Sequence, residues 1–306
     1  MTSELHGSGM PVALRVSVVV PTRNRPDLLR CCLAAIAESS TACSAEIIVV
    51  DDGSDVPVGA ELLPAEMATT LLRLEGEGPA SARNAGLRAA QGDIVLFTDD
   101  DTVPFAGWIP AAIEYFDSHP HAVGVAGPIR SVAWDRLYEQ SIEADTEGHQ
   151  WTCNVGYRRR VLEALGGFRA EAFTFAHAED RDLAIRAMGV GEIGFAEAME
   201  VSHTPRRISL RDVVRQARWV SDDLTLYALH PELTRDFALP VRLALVAGAC
   251  RAWLDSAMHQ SSGRSARRLL RGIGFGVVAS IATAWTVVRT PSARVLRSRH
   301  APNAPL

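Results

Sequence analysis

The chain has 306 residues, room for one large domain or two ordinary ones, and 47% of them are apolar, ample for a core. Charged residues make up an ordinary 22%, and a formal net charge of −5 excludes the basic footprint of a nucleic-acid-binding protein. Lysine is absent, so every long cationic side chain is an arginine, as codon bias in a GC-rich genome would produce.

Residues 1–14 read as a loose leader. Arg15 to Val20 is rich in valine and predicts a strand. Its apolar part ends at Pro21 and is far too short for the core of a signal peptide. Pro21 to Asn24 predicts a turn, and Pro26 suits the first turn of a helix running to about Ser39. Glu46 to Val50 predicts a second buried strand, ending in Asp51-Asp52-Gly53-Ser54. After a looser stretch comes a short strand, Leu71 to Leu74. Gly78-Pro79 opens a helix through Ala90, ended by Gly92. Ile94 to Phe97 is another buried strand, and three consecutive carboxylates, Asp99, Asp100 and Asp101, emerge from it.

Short, unalternating strands separated by helices are the pattern of a mostly parallel sheet covered on both faces. In such sheets ligands bind beyond the carboxyl ends of the strands, so Asp51, Asp52 and Asp99 to Asp101 should share that edge. Like charges packed there are costly unless a cation joins them, which points to a hard divalent metal and the phosphates it carries. A second half begins near Val123 to Ile129 and contains a predicted helix, Asp180 to Met188, closed by Gly189. Cys31, Cys32, Cys43, Cys153 and Cys250 lack metal-ligand spacing, and their odd number predicts reduced thiols in the cytoplasm.

Several segments together resemble the GT-A-fold glycosyltransferases of family 2. They are Val18 to Arg25, Val50 to Ser54, Ala82 to Gly86 and Gly92 to Asp101, followed by Gly166-Gly167-Phe168 and Glu179 to Leu183. The likeness covers about residues 14–207 in the family's order. It implies an α/β nucleotide-diphospho-sugar transferase (GT-A) fold with a mostly parallel central sheet flanked by helices. It also implies a nucleotide-sugar donor, Mn2+ or Mg2+, and inversion at the anomeric carbon, with a UDP-sugar the leading donor. Residues 15–130 would form the nucleotide-sugar half and 131–240 the acceptor half, with 241–306 a helical extension.

By the resemblance, Asp99 and Asp101 are the ends of the DxD element, Asp99 facing the ribose and Asp101 binding the metal, with Asp100 between them on the donor side. A divalent ion bridging diphosphate oxygens would stabilise the departing diphosphate as a Lewis acid. Asp51 and Asp52 would hold the nucleoside, although Asp-Gly-Ser is a good turn by itself. Pro21 and Thr22 would line the same pocket. Arg83 would pair with base or phosphate, or else form a surface ion pair. Asp180 is the general-base candidate, taking the acceptor hydroxyl proton, with Glu179 contacting the acceptor. The alternative for this acidic run is helix capping, which Asp182 fits better. His203 would complete the metal shell or be structural. Asn154 matches an acceptor-side segment and would touch the transferred sugar. Gln216-Ala217-Arg218-Trp219 resembles the QxxRW element of processive members but is one residue short, so single transfer is expected, with Trp219 at the acceptor site or simply packed.

Beyond Pro240, Asp255 is the only acidic residue among many arginines. Gly272 to Val288 is apolar, and as a helix spans about 26 Å against about 30 Å of bilayer core. Arg264, Arg267, Arg268 and Arg271 precede it, and Arg289, Arg294, Arg297 and Arg299 follow. Arginines on both flanks disfavour exporting either end, so a helix resting on the inner face of the cytoplasmic membrane, through residues 264–299, is preferred to a full span. The alternative is a core helix of a soluble subdomain. A lipid-linked acceptor would suit the first arrangement; a glycan or small-molecule hydroxyl suits either.

Two rivals belong to other classes. Leu96 to Val103 also fits the nucleophile loop of haloacid-dehalogenase-type phosphatases, with Asp99 phosphorylated; that loop normally lies near the start of the chain and works with a later basic residue, commonly lysine, absent here. A catalytically inactive sugar-nucleotide-binding module would be expected to lose Asp180, Asp99 or Asp101 first, and all three are present.

Overall fold

The structure is a computed structural model that describes residues 15–40, 44–133, 139–148, 150–173, 175, 177–234, 247–248, 251 and 266–290. The leader, Cys43, Cys250, Asp255, Arg264, Arg294, Arg297 and Arg299 lie outside the described residues. The elements, in chain order, are β1 (Val16–Thr22), α1 (Pro26–Ser39), β2 (Ala45–Asp52), β3 (Ala68–Leu74), α2 (Pro79–Ala89), β4 (Ile94–Phe97), β5 (Thr102–Pro104) and α3 (Trp108–Ser118). Then come β6 (Gly124–Ala126), β7 (Ile129–Ser131), β8 (Glu139–Gln140), β9 (Val155–Arg158), α4 (Arg159–Leu165) and α5 (Glu179–Met188). The last are β10 (Ile193–Phe195), β11 (Val201–His203), β12 (Arg206–Arg207), α6 (Leu210–Ala217), α7 (Val220–Leu229) and α8 (Ala266–Arg289).

The central sheet has the order β10-β6-β9-β4-β1-β2-β3. β1 pairs in parallel with β2 and β4, and β2 with β3, while β9 runs antiparallel to β4 and β6. Alternation explains why β1 reads as one apolar run. Val16, Val18 and Val20 face α1 and α3, among Leu29, Leu33, Ile36 and Trp108, whereas Val19 faces α2 and α5 with Ile48, Val50 and Leu183. Both sides are dry, and each buried valine or leucine contributes about 1.5–3 kcal/mol.

Sequence motifs correspond to close approaches. A Cβ on Gly86 would stand 2.3 Å from Val19 Cγ1, so glycine lets α2 lie directly on β1. Gly53 turns the chain at φ +74°, where a Cβ would also meet the backbone of Gly76 at 2.7 Å. Asn84 of α2 donates to the Phe168 carbonyl and accepts from the Phe168 N–H, both at 2.8 Å. The Arg83-Asn84 and Gly167-Phe168 motifs, far apart in sequence, are therefore one joint.

The extension forms its own packing. Val287 of α8 is buried with Val220, Leu224 and Ala228 of α7, and Ala279 with Ile208 and Val213. The opposite stripe of α8, Val277, Ile281, Trp285 and Val288, is exposed. Neither expected arrangement is complete: one face is core, the other bare. No helix among the described residues is long and apolar enough to cross a membrane.

Candidate active site

Register sets the acidic edge. Thr22 ends β1 opposite Asp51 of β2, and β4 on the other side of β1 delivers Asp99 to Asp101 just past Phe97. A turn splays these three carboxylates: the Thr102 N–H and hydroxyl both donate to the Asp99 carbonyl, at 3.1 and 2.7 Å. Asp99 reaches Arg83, at 2.8 Å. Asp100 points inward, accepting from the Thr22 hydroxyl at 2.7 Å and from Arg25 Nη1 at 2.8 Å. Burial pushes its pKa up to about 6, against the pull of Arg25 and Thr22. Asp101 accepts from the same Arg25 nitrogen at 2.9 Å, and its other oxygen lies 3.7 Å from His203 Nε2.

His203 arrives by strand pairing. β11 runs antiparallel to β5 with His203 opposite Thr102, and His203 Nδ1 lies 3.0 Å from Ser141 Oγ. A carboxylate oxygen and an imidazole nitrogen thus face each other beyond hydrogen-bond range. That oxygen–nitrogen pair suits Mn2+, provided phosphate oxygens supply the other positions. Among the described residues no group of three or more acidic, histidine or cysteine side chains could hold an ion alone.

Asp51 and Asp52 part company. The Asp51 carboxylate accepts from the Ser54 and Val58 N–H groups and pairs with Arg73, so both its oxygens hold the turn. Burial alone would raise its pKa, but these bonds leave it lowered. Asp52 accepts from the N–H groups of Glu77 and Gly78 at 2.7 and 2.9 Å, fixing the loop into α2. Asp52 still lines a cleft of about 310 Å³ with Pro21, Thr22, Arg83, Asp99 and Asp100.

Arg83 joins that cleft to the next. Its Nη1 donates to Glu179 at 2.9 Å while Nη2 holds Asp99. Burial would depress the guanidinium, but Asp99 and Glu179 outweigh it and hold it charged. Its Nε and Glu179 Oε2 are buried without a hydrogen-bond partner among the described residues. Beyond Arg83 lies a cavity of about 380 Å³ lined by Trp151, His177, Glu179, Asp180 and Trp219. Burial and the neighbouring Asp180 push the Glu179 pKa up to about 7. Burial also raises Asp180, which accepts from the Arg181 N–H at 2.8 Å.

The acidic dipeptide is presented by a left-handed residue, Ala178 at φ +71°, a costly conformation for alanine that packing must enforce. Asp182 does not cap the helix. It is buried between Arg169, Arg186 and His230, and although burial opposes it, these partners leave its pKa lowered. It anchors α5 from behind.

Trp219 stands on the cavity wall with its ring stacked on His177, centroids 4.9 Å apart. His177 Nε2 is 3.1 Å from Asp223 of α7. Asn154 is 1% exposed, and its amide is committed to the framework: it accepts from Trp108 Nε1 and donates to the carbonyls of Pro128 and Met199. Arg25, His177 and Asp223 are absent from the sequence expectations. Arg25 stood within a motif but was indistinguishable there from Arg23; His177 and Asp223 carried no local signal.

The model of the family described as Glycosyl transferase family 2 matches residues 17–175. Among curated relatives, the pre-mycofactocin glycosyltransferase of Mycobacterium tuberculosis is 27% identical over 82% of this chain and 54% of its own length. The undecaprenyl-phosphate 4-deoxy-4-formamido-L-arabinose transferase of Serratia proteamaculans is 28% identical over 49% of this chain and 51% of its own. The chain thus spans about half the length of these relatives. Among solved structures, the mannosyltransferase PcManGT from Pyrobaculum calidifontis in complex with GDP-Man and Mn2+ aligns with a TM-score of 0.57 at 19% identity, covering 94% of this chain and 88% of that one. S. aureus TarS 1-349 in complex with UDP aligns at 0.55 with 16% identity, covering 95% and 93%. These likenesses establish the GT-A fold.

Proposed function

Because the chain belongs to glycosyl transferase family 2, we propose that it moves a sugar from a nucleotide-diphosphate donor to an acceptor hydroxyl, with inversion and with a divalent metal. One observation carries this reading: Arg83 bridges Asp99 and Glu179, so the strand-end carboxylates and the acidic start of α5 line two clefts that meet at one guanidinium. Pro21, Thr22, Asp52 and Asp99 would receive the donor nucleotide, a UDP-sugar first and GDP- or TDP-sugars next. Asp101 and His203 would hold Mn2+ or Mg2+, which when bound offsets the charge of the leaving diphosphate. Arg83 would add a second positive charge beside that group.

Asp180 would take the acceptor proton. Its raised pKa makes it a stronger base than a solvated aspartate, and Arg83 nearby keeps the anion accessible. Glu179 and Trp219 would orient the acceptor, the indole offering a flat face to a sugar ring. Asn154 stays outside this set, since its amide is spent on the framework. The curated relatives include an undecaprenyl-phosphate sugar transferase, and the bare stripe of α8 supports a peripheral contact with a lipid surface here.

The test is nucleotide release from a panel of UDP-, GDP- and TDP-sugars with Mn2+. Asp180→Asn should lower turnover by about 100-fold or more while donor affinity is retained. Unchanged turnover would remove Asp180 from the base role. Phosphoester hydrolysis sensitive to Asp99→Asn, without sugar transfer, would favour the phosphatase instead.

A further inference from the structure

We infer that Arg25 is a resident cation of the strand-end carboxylates, displaced by the donor's diphosphate with its metal, so that it couples metal loading to nucleotide binding. The inference rests on the donor-binding reading above and adds a residue to it. One nitrogen, Nη1, serves both acids, at 2.8 Å from Asp100 Oδ1 and 2.9 Å from Asp101 Oδ2. This single-point contact offsets one of the pair's two charges, without the two-pronged grip that a guanidinium can make, and leaves a net negative site for a cation. It leaves Asp101 Oδ1 turned toward His203.

The backbone aims Arg25 there. Asn24 is left-handed at φ +56°, and this turn is held from both sides: the Asn24 N–H donates to Ser54 Oγ at 2.8 Å, and the Asp55 N–H donates to Asn24 Oδ1 at 2.7 Å. Yet the Arg25 side chain is 39% exposed and borders two clefts, the donor cleft and the cavity of about 360 Å³ that contains His203 and Asp101. It is fixed at its root, and its tip, held by the two carboxylates through one nitrogen, stands at the border of both clefts.

The competition is electrostatic. A bare dication approaching Asp101 meets a guanidinium already on that carboxylate and must displace it without giving it a new partner. A nucleoside diphosphate changes both halves of the exchange. Its oxygens complete the ion's coordination, and its charge receives the freed guanidinium, for which phosphate is a well-matched partner. Metal and nucleotide should therefore each strengthen the other's binding, and by linkage the factor is the same in both directions.

The test measures free Mn2+ by electron paramagnetic resonance, titrating the metal alone and with UDP, GDP or TDP, corrected for each nucleotide's own Mn2+ binding without protein, in wild type, Arg25→Gln and Arg25→Lys. Arg25→Gln should bind Mn2+ alone about tenfold more tightly than wild type and show a smaller enhancement by nucleotide. Arg25→Lys, which keeps the charge, should stay near wild type, and adding Asp101→Asn to Arg25→Gln should erase the gain. If Arg25→Gln binds Mn2+ no better than wild type while nucleotide still enhances binding in both, Arg25 is not the resident cation and the donor-binding reading survives. Equal tightening in Arg25→Lys would likewise overturn it. Failure of UDP, GDP and TDP alike to enhance Mn2+ binding in every variant would instead overturn the metal–nucleotide reading and this inference together.

Discussion

Glu179 illustrates what a buried side chain does when its partners are incomplete. One oxygen is held by Arg83, the other is buried with no hydrogen-bond partner among the described residues, and Asp180 adds a like charge next to it. The folded protein therefore binds a proton there up to about pH 7, whereas the unfolded chain releases it near 4.5. Between these values Glu179 carries more protons in the native state than in the unfolded one, so its contribution to stability falls as pH rises from about 4.5 to about 7 and is level above. Glu179→Gln should flatten this part of the curve, with a relative gain on the order of 2 kcal/mol at pH 8 compared with pH 5. Melting temperatures of the two proteins across that range check it; parallel curves would mean that Glu179 is ionised throughout. The carboxylates themselves were legible from sequence, because three acids after an apolar strand have few bland uses. Their division of labour was not: Asp51 and Asp52 look alike in sequence, but only contacts from Ser54, Val58 and Arg73 commit the first to its turn.

Elements carry a different kind of information. The strands β1, β2 and β4 and the helices α1, α2 and α5 appear within a few residues of where hydrophobic runs, prolines and glycines place them, because each is governed by local pattern. β5, β7, β8, β11 and β12 are two or three residues long, too short for any periodicity, and they exist only because distant segments pair. β11 matters most for the site, since its pairing with β5 is what sets His203 beside Asp101. The Asn84 joint is another case, where one side-chain amide locks α2 to the Gly166–Phe168 turn with two bonds at 2.8 Å. Asn84→Ala should cost about 2 kcal/mol, since it leaves the Phe168 backbone groups without this partner. A chemical-denaturation midpoint measures it, and an unchanged midpoint would show that the joint adds nothing to stability.

Across the whole molecule, α6 borders both the candidate site, through Arg215, and an exposed apolar surface. The two clefts sit over the carboxyl edge of the sheet, and the α6–α8 packing presents a second face. There Leu210 and Val214 of α6 are exposed near Arg211 and Arg218, and α8 shows Val277, Ile281, Trp285 and Val288. Apolar side chains with arginines beside them match an anionic lipid surface. Flotation with anionic vesicles should therefore carry part of the protein upward, less so in 0.5 M salt, and Trp285→Ser with Ile281→Ser should abolish it. Protein remaining wholly at the bottom would discard the lipid contact. Sequence by itself determined the doubly covered sheet and the carboxylates at its edge, since burial period and strand-end chemistry are written in neighbouring residues. Tertiary structure alone decided that Arg83 links the two clefts, that Arg25 occupies the acidic pair and that His177 backs Trp219. Those contacts join residues tens of positions apart, and no local pattern encodes which distant charge will arrive to share a buried site.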